Sequence, residues 1–216
     1  MEDAPLDPAS AGRSTDLMRP RTDGGTAPAP ERSALARFND LAPAEAEREL
    51  LSCCASRAWA AAVAAGRPYR TVAEAVAAGG ERVAGLGWAD VLEALAAHPR
   101  IGERASGPGR EAGWSRREQA GTAGADPEIL AALREGNEAY ERRFGHIYLV
   151  RAAGRDAAEL LAILRARLGN DEAAEREVVR RELAEITRLR LARLLGGEAA
   201  GETPGETQGE TGEVRG

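Results

Sequence analysis

Residues 126–145 read DPEILAALREGNEAYERRFG, and this stretch sets the fold class. Asp126 offers a capping side chain, Pro127 suits the first helical position, and Gly145 ends the run after Phe144. The same punctuation recurs on both sides. Pro43 opens a helix through Leu50 and Leu51. A second helical stretch holds Trp59 and Val63 and stops at Gly66. Thr71 can cap a helix holding Val72, Ala75 and Val76, which Gly79-Gly80 should weaken or end. Trp88-Ala89-Asp90 opens a helix with Val91, Leu92 and Leu95 on its apolar face, and Pro99 closes it, because a residue before proline avoids helical geometry. Residues 102–113 hold Gly102, Gly107, Pro108, Gly109 and Gly113 and read as a loop. Asp156 to Leu168 is helical and ends at Gly169. In the final helix, Glu172 to Leu195, Val179, Leu183, Ile186 and Leu194 recur at helical spacing.

Composition agrees. The chain has 216 residues, 43% of them hydrophobic and only 4% aromatic, so its core must be built mostly from Ala, Leu, Val and Ile. Helix formers abound and β-branched runs are scarce. The expectation is an all-α fold: a compact bundle of about seven or eight helices with short connections. Residues 1–32 are rich in Pro, Gly, Ser, Thr and Asp and read as a disordered leader. Residues 196–216, where GETP, GETQ and GETG recur, read as a disordered low-complexity tail. Between them, residues 33–195 form a single helical domain.

The net charge of −6 argues against a nucleic-acid footprint, which needs a clustered basic excess. Every basic residue is arginine; the fork suits carboxylates, although a GC-rich genome explains the bias as a whole. Adjacent Cys53 and Cys54 make no disulfide framework, which fits a reducing compartment. Two distant histidines and no CxxC argue against a metal site. No apolar run approaches the roughly 20 residues that cross a bilayer, and no signal-peptide core or C-terminal peroxisomal tripeptide is evident. The expected location is the cytoplasm, with no membrane partner.

Chemistry concentrates in two stretches. His98-Pro99-Arg100-Ile101-Gly102 puts an imidazole where a helix gives way to a loop, and imidazole ordinarily titrates near neutrality. Taken alone, a histidine complementing a helix dipole explains it as well. In Ser115-Arg116-Arg117-Glu118-Gln119-Ala120-Gly121, Ser-x-x-Glu reads as a capping box, and the helix start would also supply donors to an anion. Gly145-His146-Ile147-Tyr148-Leu149-Val150 reads as a buried connector, with His146 packing near a helix end. Arg190 lies between Leu189 and Leu191, with part of its stem buried.

Taken in series, HPRIG, SRREQAG, Asn137-x-x-Tyr140-x-x-Arg143-Phe144-Gly145, RLGND at 167–171 and Glu185-Ile186-x-x-Leu189-Arg190-Leu191 resemble one family, the 2-oxo-4-hydroxy-4-carboxy-5-ureidoimidazoline (OHCU) decarboxylases of urate breakdown. FNDL at 38–41 and Cys53-Cys54-x-Ser56-x-x-Trp59-Ala60 look like the family's start. The resemblance covers about Leu35 to Leu195. It implies an all-α fold, commonly a homodimer, and loss of carbon dioxide from OHCU to give (S)-allantoin without metal or organic cofactor. It further implies that His98 is the catalytic proton donor and that Glu118 holds the substrate hydroxyl or ring nitrogens and helps orient His98. The substrate-binding set it implies is Pro99, Ser115, Arg116, Arg117, Glu118 and Gln119, then Tyr148, Leu149, Val150, Arg151 and Ala152 largely through backbone groups, and Arg190 against substrate charge. The competing readings are a non-catalytic helical interaction module and a lyase or hydrolase for a related ureido compound.

Overall fold

The computed structural model describes residues 32–103 and 109–197. Nearly all of the expected leader and of the expected tail lies outside these residues. Nine α-helices and one short 3-10 turn occur among them, against the seven or eight expected: α1 (Ala34–Asp40), α2 (Pro43–Leu51), α3 (Arg57–Ala65), α4 (Val72–Ala84), α5 (Trp88–Leu95), α6 (Arg110–Glu118), the turn Ala120–Thr122, α7 (Pro127–Phe144), α8 (Ala157–Arg167) and α9 (Glu172–Leu194). The fold is all-α, as composition and periodicity required.

Most helix starts carry the caps that their sequences offer. Ser33, Ser56, Thr71, Asp126, Asp156 and Asp171 each accept a hydrogen bond from a backbone N–H in the first turn. Such caps contribute about 1 kcal/mol each. Asp156 and Glu159 form a reciprocal capping box at 2.8 and 2.9 Å. Gly145 ends α7 in the left-handed region, φ 75°, which favours glycine.

Two sequence expectations fail, the first of them in part. Gly79-Gly80, expected to weaken or end its helix, does not end it: α4 runs through both residues to Ala84. Here α4 packs against α9, and a Cβ on Gly79 would lie 2.6 Å from Leu191 Cδ2. The missing side chain permits close approach, and Trp59 Nε1 donates to the Gly79 carbonyl at 2.8 Å. The second failure concerns 102–113 and the Ser-x-x-Glu pattern. α6 begins at Arg110, within the expected loop, so Ser115 and Glu118 sit in its second half and make no capping box. The expected anion-binding helix start at Ser115 therefore does not exist.

Buried apolar side chains fall into two clusters. One joins α1 to α5 with α9 through Leu50, Trp59, Val63, Val83, Leu183 and Leu191. The other joins α7 and α8 to the 148–152 segment through Leu133, Tyr140, Tyr148, Val150, Leu160 and Leu164. Each fully buried large side chain contributes about 1.5–3 kcal/mol relative to exposure. Residues from both clusters, Leu149 and Ile186 from the first and Ile101, Tyr148 and Val150 from the second, line one small cavity.

Candidate active site

The turn after α5 carries His98. Its Nδ1 lies 3.0 Å from the Ala94 carbonyl. A carbonyl only accepts, so the ring proton sits on Nδ1 and Nε2 presents a bare lone pair. The residue is half-buried, yet Nε2 is sequestered from solvent and has no partner among the described residues. Burial, helped by the positive charge of Arg190, holds the imidazole down to about 4, against the ordinary 6.5. The Ala94 bond and Glu118 oppose that shift and lose to it. This corrects the expectation of titration near neutrality: at pH 7 the ring is a neutral acceptor.

The turn beyond His98 is clamped from the end of α6 and from α7. Gln119 Oε1 accepts from Gly102 N at 3.0 Å, and its Nε2 donates to the Arg100 carbonyl at 3.3 Å. Asn137 of α7 donates to the Ile101 carbonyl at 2.8 Å. Arg100 forks onto Glu141 of α7 at 2.6 and 2.7 Å. Both ends of the Gln119 amide are thus engaged with the turn that fixes Pro99 and His98. Gly102 completes that turn at φ 85°.

Glu118 and Arg190 meet across 72 residues of sequence. Arg190 Nε and Nη2 donate to the two Glu118 oxygens at 3.0 and 2.6 Å, and Nη2 also reaches Ser115 Oγ at 3.0 Å. Arg193, one turn of α9 later, adds a bond to Glu118 at 3.3 Å. The fork fixes both side chains in a buried setting. No hydrogen bond joins Glu118 to His98 among the described residues; the Ala94 carbonyl orients the ring instead.

The segment between α7 and α8 supplies a third wall. Tyr148 is buried and its hydroxyl donates to the Leu160 carbonyl at 3.2 Å. The N–H of Arg151 donates to Glu182 at 2.6 Å, and the Arg151 carbonyl accepts from Arg155 at 2.9 Å.

Together His98, Pro99, Ser115, Glu118, Gln119, Tyr148, Leu149, Val150, Ala152 and Arg190 line one cavity, joined by Ile101 and Ile186. Arg116 and Arg117 do not line it; both are exposed on the outer side of α6. Arg151 is half-buried beside it. The cavity's volume is about 20 Å³, room for a water molecule. A larger pocket of about 360 Å³ shares Ser115 and Gln119 as a common wall and includes Gly102, Arg116 and Thr122. Ile186 went unassigned from the sequence, although it lies one helical turn before Arg190, a spacing that puts both on one face. The arrangement offers a neutral general base, a fixed cation–anion pair and apolar side chains beside them. Among the described residues, no group of three or more His, Cys, Asp or Glu side chains is placed to hold a metal ion, and no helix is long and apolar enough to cross a membrane.

Comparison with known proteins gives a consistent picture. The family model described as OHCU decarboxylase matches residues 39–192. The chain is 36% identical over 114 residues to the uric acid degradation bifunctional protein TTL of Arabidopsis thaliana, a match covering 51% of this chain and 35% of that protein. The chain thus spans about a third of that relative's length. It is 34% identical over 134 residues to the 2-oxo-4-hydroxy-4-carboxy-5-ureidoimidazoline decarboxylase of Amia calva, covering 61% of this chain and 77% of that one. Among solved structures, a crystal structure of OHCU decarboxylase in the presence of (S)-allantoin matches with a TM-score of 0.61 at 32% identity, covering 68% of this chain and 97% of that one. A crystal structure of (S)-allantoin synthase shares the fold, with a TM-score of 0.58 at 18% identity over 76% of this chain and 54% of that one.

Proposed function

Because the chain belongs to the OHCU decarboxylase family, we propose that it decarboxylates 2-oxo-4-hydroxy-4-carboxy-5-ureidoimidazoline to (S)-allantoin, with His98 as the proton-transferring group. The observation that carries this reading is the bare, sequestered Nε2 of a neutral His98, a residue that lines one cavity with Glu118 and Arg190.

The substrate carries hydroxyl and carboxylate on one ring carbon, and the next ring carbon is an imine that bears the ureido group. When the carbon–carboxylate bond breaks, its electron pair forms a double bond between these two carbons. The imine pair moves onto the ring nitrogen, which takes a proton supplied by solvent. The hydroxyl then loses its proton to become the product carbonyl, and the ureido-bearing carbon gains one. A neutral His98 suits both halves of that exchange: Nε2 accepts the hydroxyl proton and returns it to carbon on one face. A base held near 4 accepts weakly in the ground state, so its work falls on the step in which the hydroxyl acidifies. Arg190 offers positive charge that binds and orients the substrate carboxylate, while Glu118 keeps that charge in place. Gln119 and Asn137 act by holding the His98 turn. Arg116 and Arg117 belong to this proposal only as outer contacts near the larger pocket. A homodimer and a cytoplasmic location are carried with it, the former checked by sedimentation at working concentration.

Circular dichroism of freshly generated OHCU mixed with the purified protein tests the proposal. Growth of an (S)-allantoin signal faster than the spontaneous reaction is expected, with His98→Ala slowing it by about 100-fold or more. Racemic product at the spontaneous rate, from folded protein, overturns it.

A further inference from the structure

Arg167 lies at the end of α8, outside the cavity wall, and is buried with its partner Glu175. Its Nε and Nη2 donate to Glu175 Oε1 at 2.9 and 2.5 Å. Its Nη1 donates to the Leu149 carbonyl at 2.7 Å, and the guanidinium carbon lies 4.9 Å from the centre of the Tyr148 ring. Glu175 is fixed in turn by Asn170 Nδ2 at 2.7 Å and by the Tyr140 hydroxyl. The guanidinium is therefore held on several sides, and it holds the Leu149 carbonyl.

That clamp has a consequence for the next N–H. The only cis peptide among the described residues joins Arg67 to Pro68, so the Leu149–Val150 peptide is trans. In a trans peptide the N–H points opposite to the carbonyl. The carbonyl points at Arg167, which does not line the cavity, whereas Leu149 and Val150 do. The Val150 N–H makes no hydrogen bond within the described residues. A buried ion pair is a poor source of net stability compared with apolar side chains of the same volume. Its geometry here serves a peptide plane at the cavity wall.

We infer that Arg167, anchored by Glu175, is a positioning residue that aims the Val150 N–H at an acceptor atom of the substrate on which negative charge develops as carbon dioxide leaves. The inference rests on the decarboxylase reading for its substrate, and on the Arg167 clamp alone for its geometry. Losing the clamp lets the peptide rock and misaligns a preorganised donor, an effect felt in the transition state more than in substrate binding.

Two variants test it. The pair Arg167→Met with Glu175→Gln removes both charges together, and Arg167→Lys keeps the charge but loses the fork. Both are compared with the unaltered protein by OHCU turnover and by the amide resonance of Val150 in ¹⁵N–¹H spectra. The expected result is a cooperative melt, a shifted Val150 amide, kcat lower by about 10-fold or more and KM changed by less than about threefold. Arg167→Lys is expected to restore part of kcat relative to the pair. Unchanged kcat in folded variants overturns the inference, as does an unmoved Val150 amide. Should the pair fail to fold, Arg167→Lys decides alone by the same two readouts. If the unaltered protein does not turn over OHCU, the function proposal fails, and the Val150 amide decides the positioning role by itself.

Discussion

Arg190 grips Glu118 through two nitrogens, at 2.6 and 3.0 Å, and both side chains are buried. The pair joins α6 to α9 at the cavity wall, and Arg193 braces the same carboxylate. Breaking one side of such a pair leaves an uncompensated buried charge and costs about 3–5 kcal/mol. Glu118→Ala is therefore expected to destabilise by about 3 kcal/mol, with Arg193 unable to stand in for a lost anion. Replacing both residues, Glu118→Gln with Arg190→Met, should recover most of that stability and none of the turnover. Urea unfolding and OHCU turnover measured on the same preparations check this. A double variant that regains activity would show that the pair is only structural.

The two glycines inside α4 should respond oppositely to alanine. A Cβ on Gly79 meets Leu191 Cδ2 at 2.6 Å and Trp59 at 3.5 Å, in the packed seam between α4 and α9. Overpacking there is expected to cost about 1–3 kcal/mol. The three atoms nearest a Cβ on Gly80 all belong to the guanidinium end of Arg188, a half-exposed and flexible side chain. Once Arg188 swings aside, the gain in helix propensity, up to about 1 kcal/mol, remains. Thermal melts of Gly79→Ala and Gly80→Ala should shift in opposite directions, and equal shifts would contradict the packing account.

Cys53 and Cys54 are both buried and unpaired. Burial pushes their thiols up to about 12 and about 11, so almost no thiolate exists near neutrality. At pH 8 the native protein is expected to resist a water-soluble thiol reagent, and to take up label at both positions once unfolded in denaturant. Fast labelling of the native state would mean that the core around Leu50 and Trp59 opens readily.

Much of the fold was legible because its helix ends carry local chemistry. Asp126-Pro127, Pro43, Thr71 and Asp156 announce helix starts through groups that act within three residues. α6 was not legible, since its cap is Gly109, which has no side chain to announce it. Ser115 and Glu118 are three residues apart, and that spacing serves a capping box and a single helix face equally well. Gly79-Gly80 reads as a breaker until the partner helix α9 is in view. The cavity was less legible still. Contact between Glu118 and Arg190 depends on the tertiary packing of α6 on α9, which no local pattern encodes. Resemblance to a family brought those residues together before the structure did. It did not reveal that they bond each other, nor that His98 is neutral.

The neutral state of His98 carries two consequences for acid pH. An unfolded chain protonates this ring near the ordinary 6.5, and the native protein does so only at about 4. Between those values the unfolded state binds a proton that the native state refuses, so stability falls as pH drops through this window. Allowing for the half-exposure of the residue, the loss from His98 is on the order of 2 kcal/mol, complete by about pH 4. Urea unfolding at pH 7 and pH 4.5 should show His98→Gln losing less stability on acidification than the unaltered protein, because both chains share every other titrating group. Turnover follows the same protonation with the same sign. A base that must be neutral keeps working as pH falls below 6.5 and fails only as pH approaches 4, so the acid limb of kcat/KM belongs well below the histidine range. An acid limb centred near 6.5, or a His98 proton resonance titrating there, would show that solvent reaches Nε2 and that the ring is not held neutral by burial.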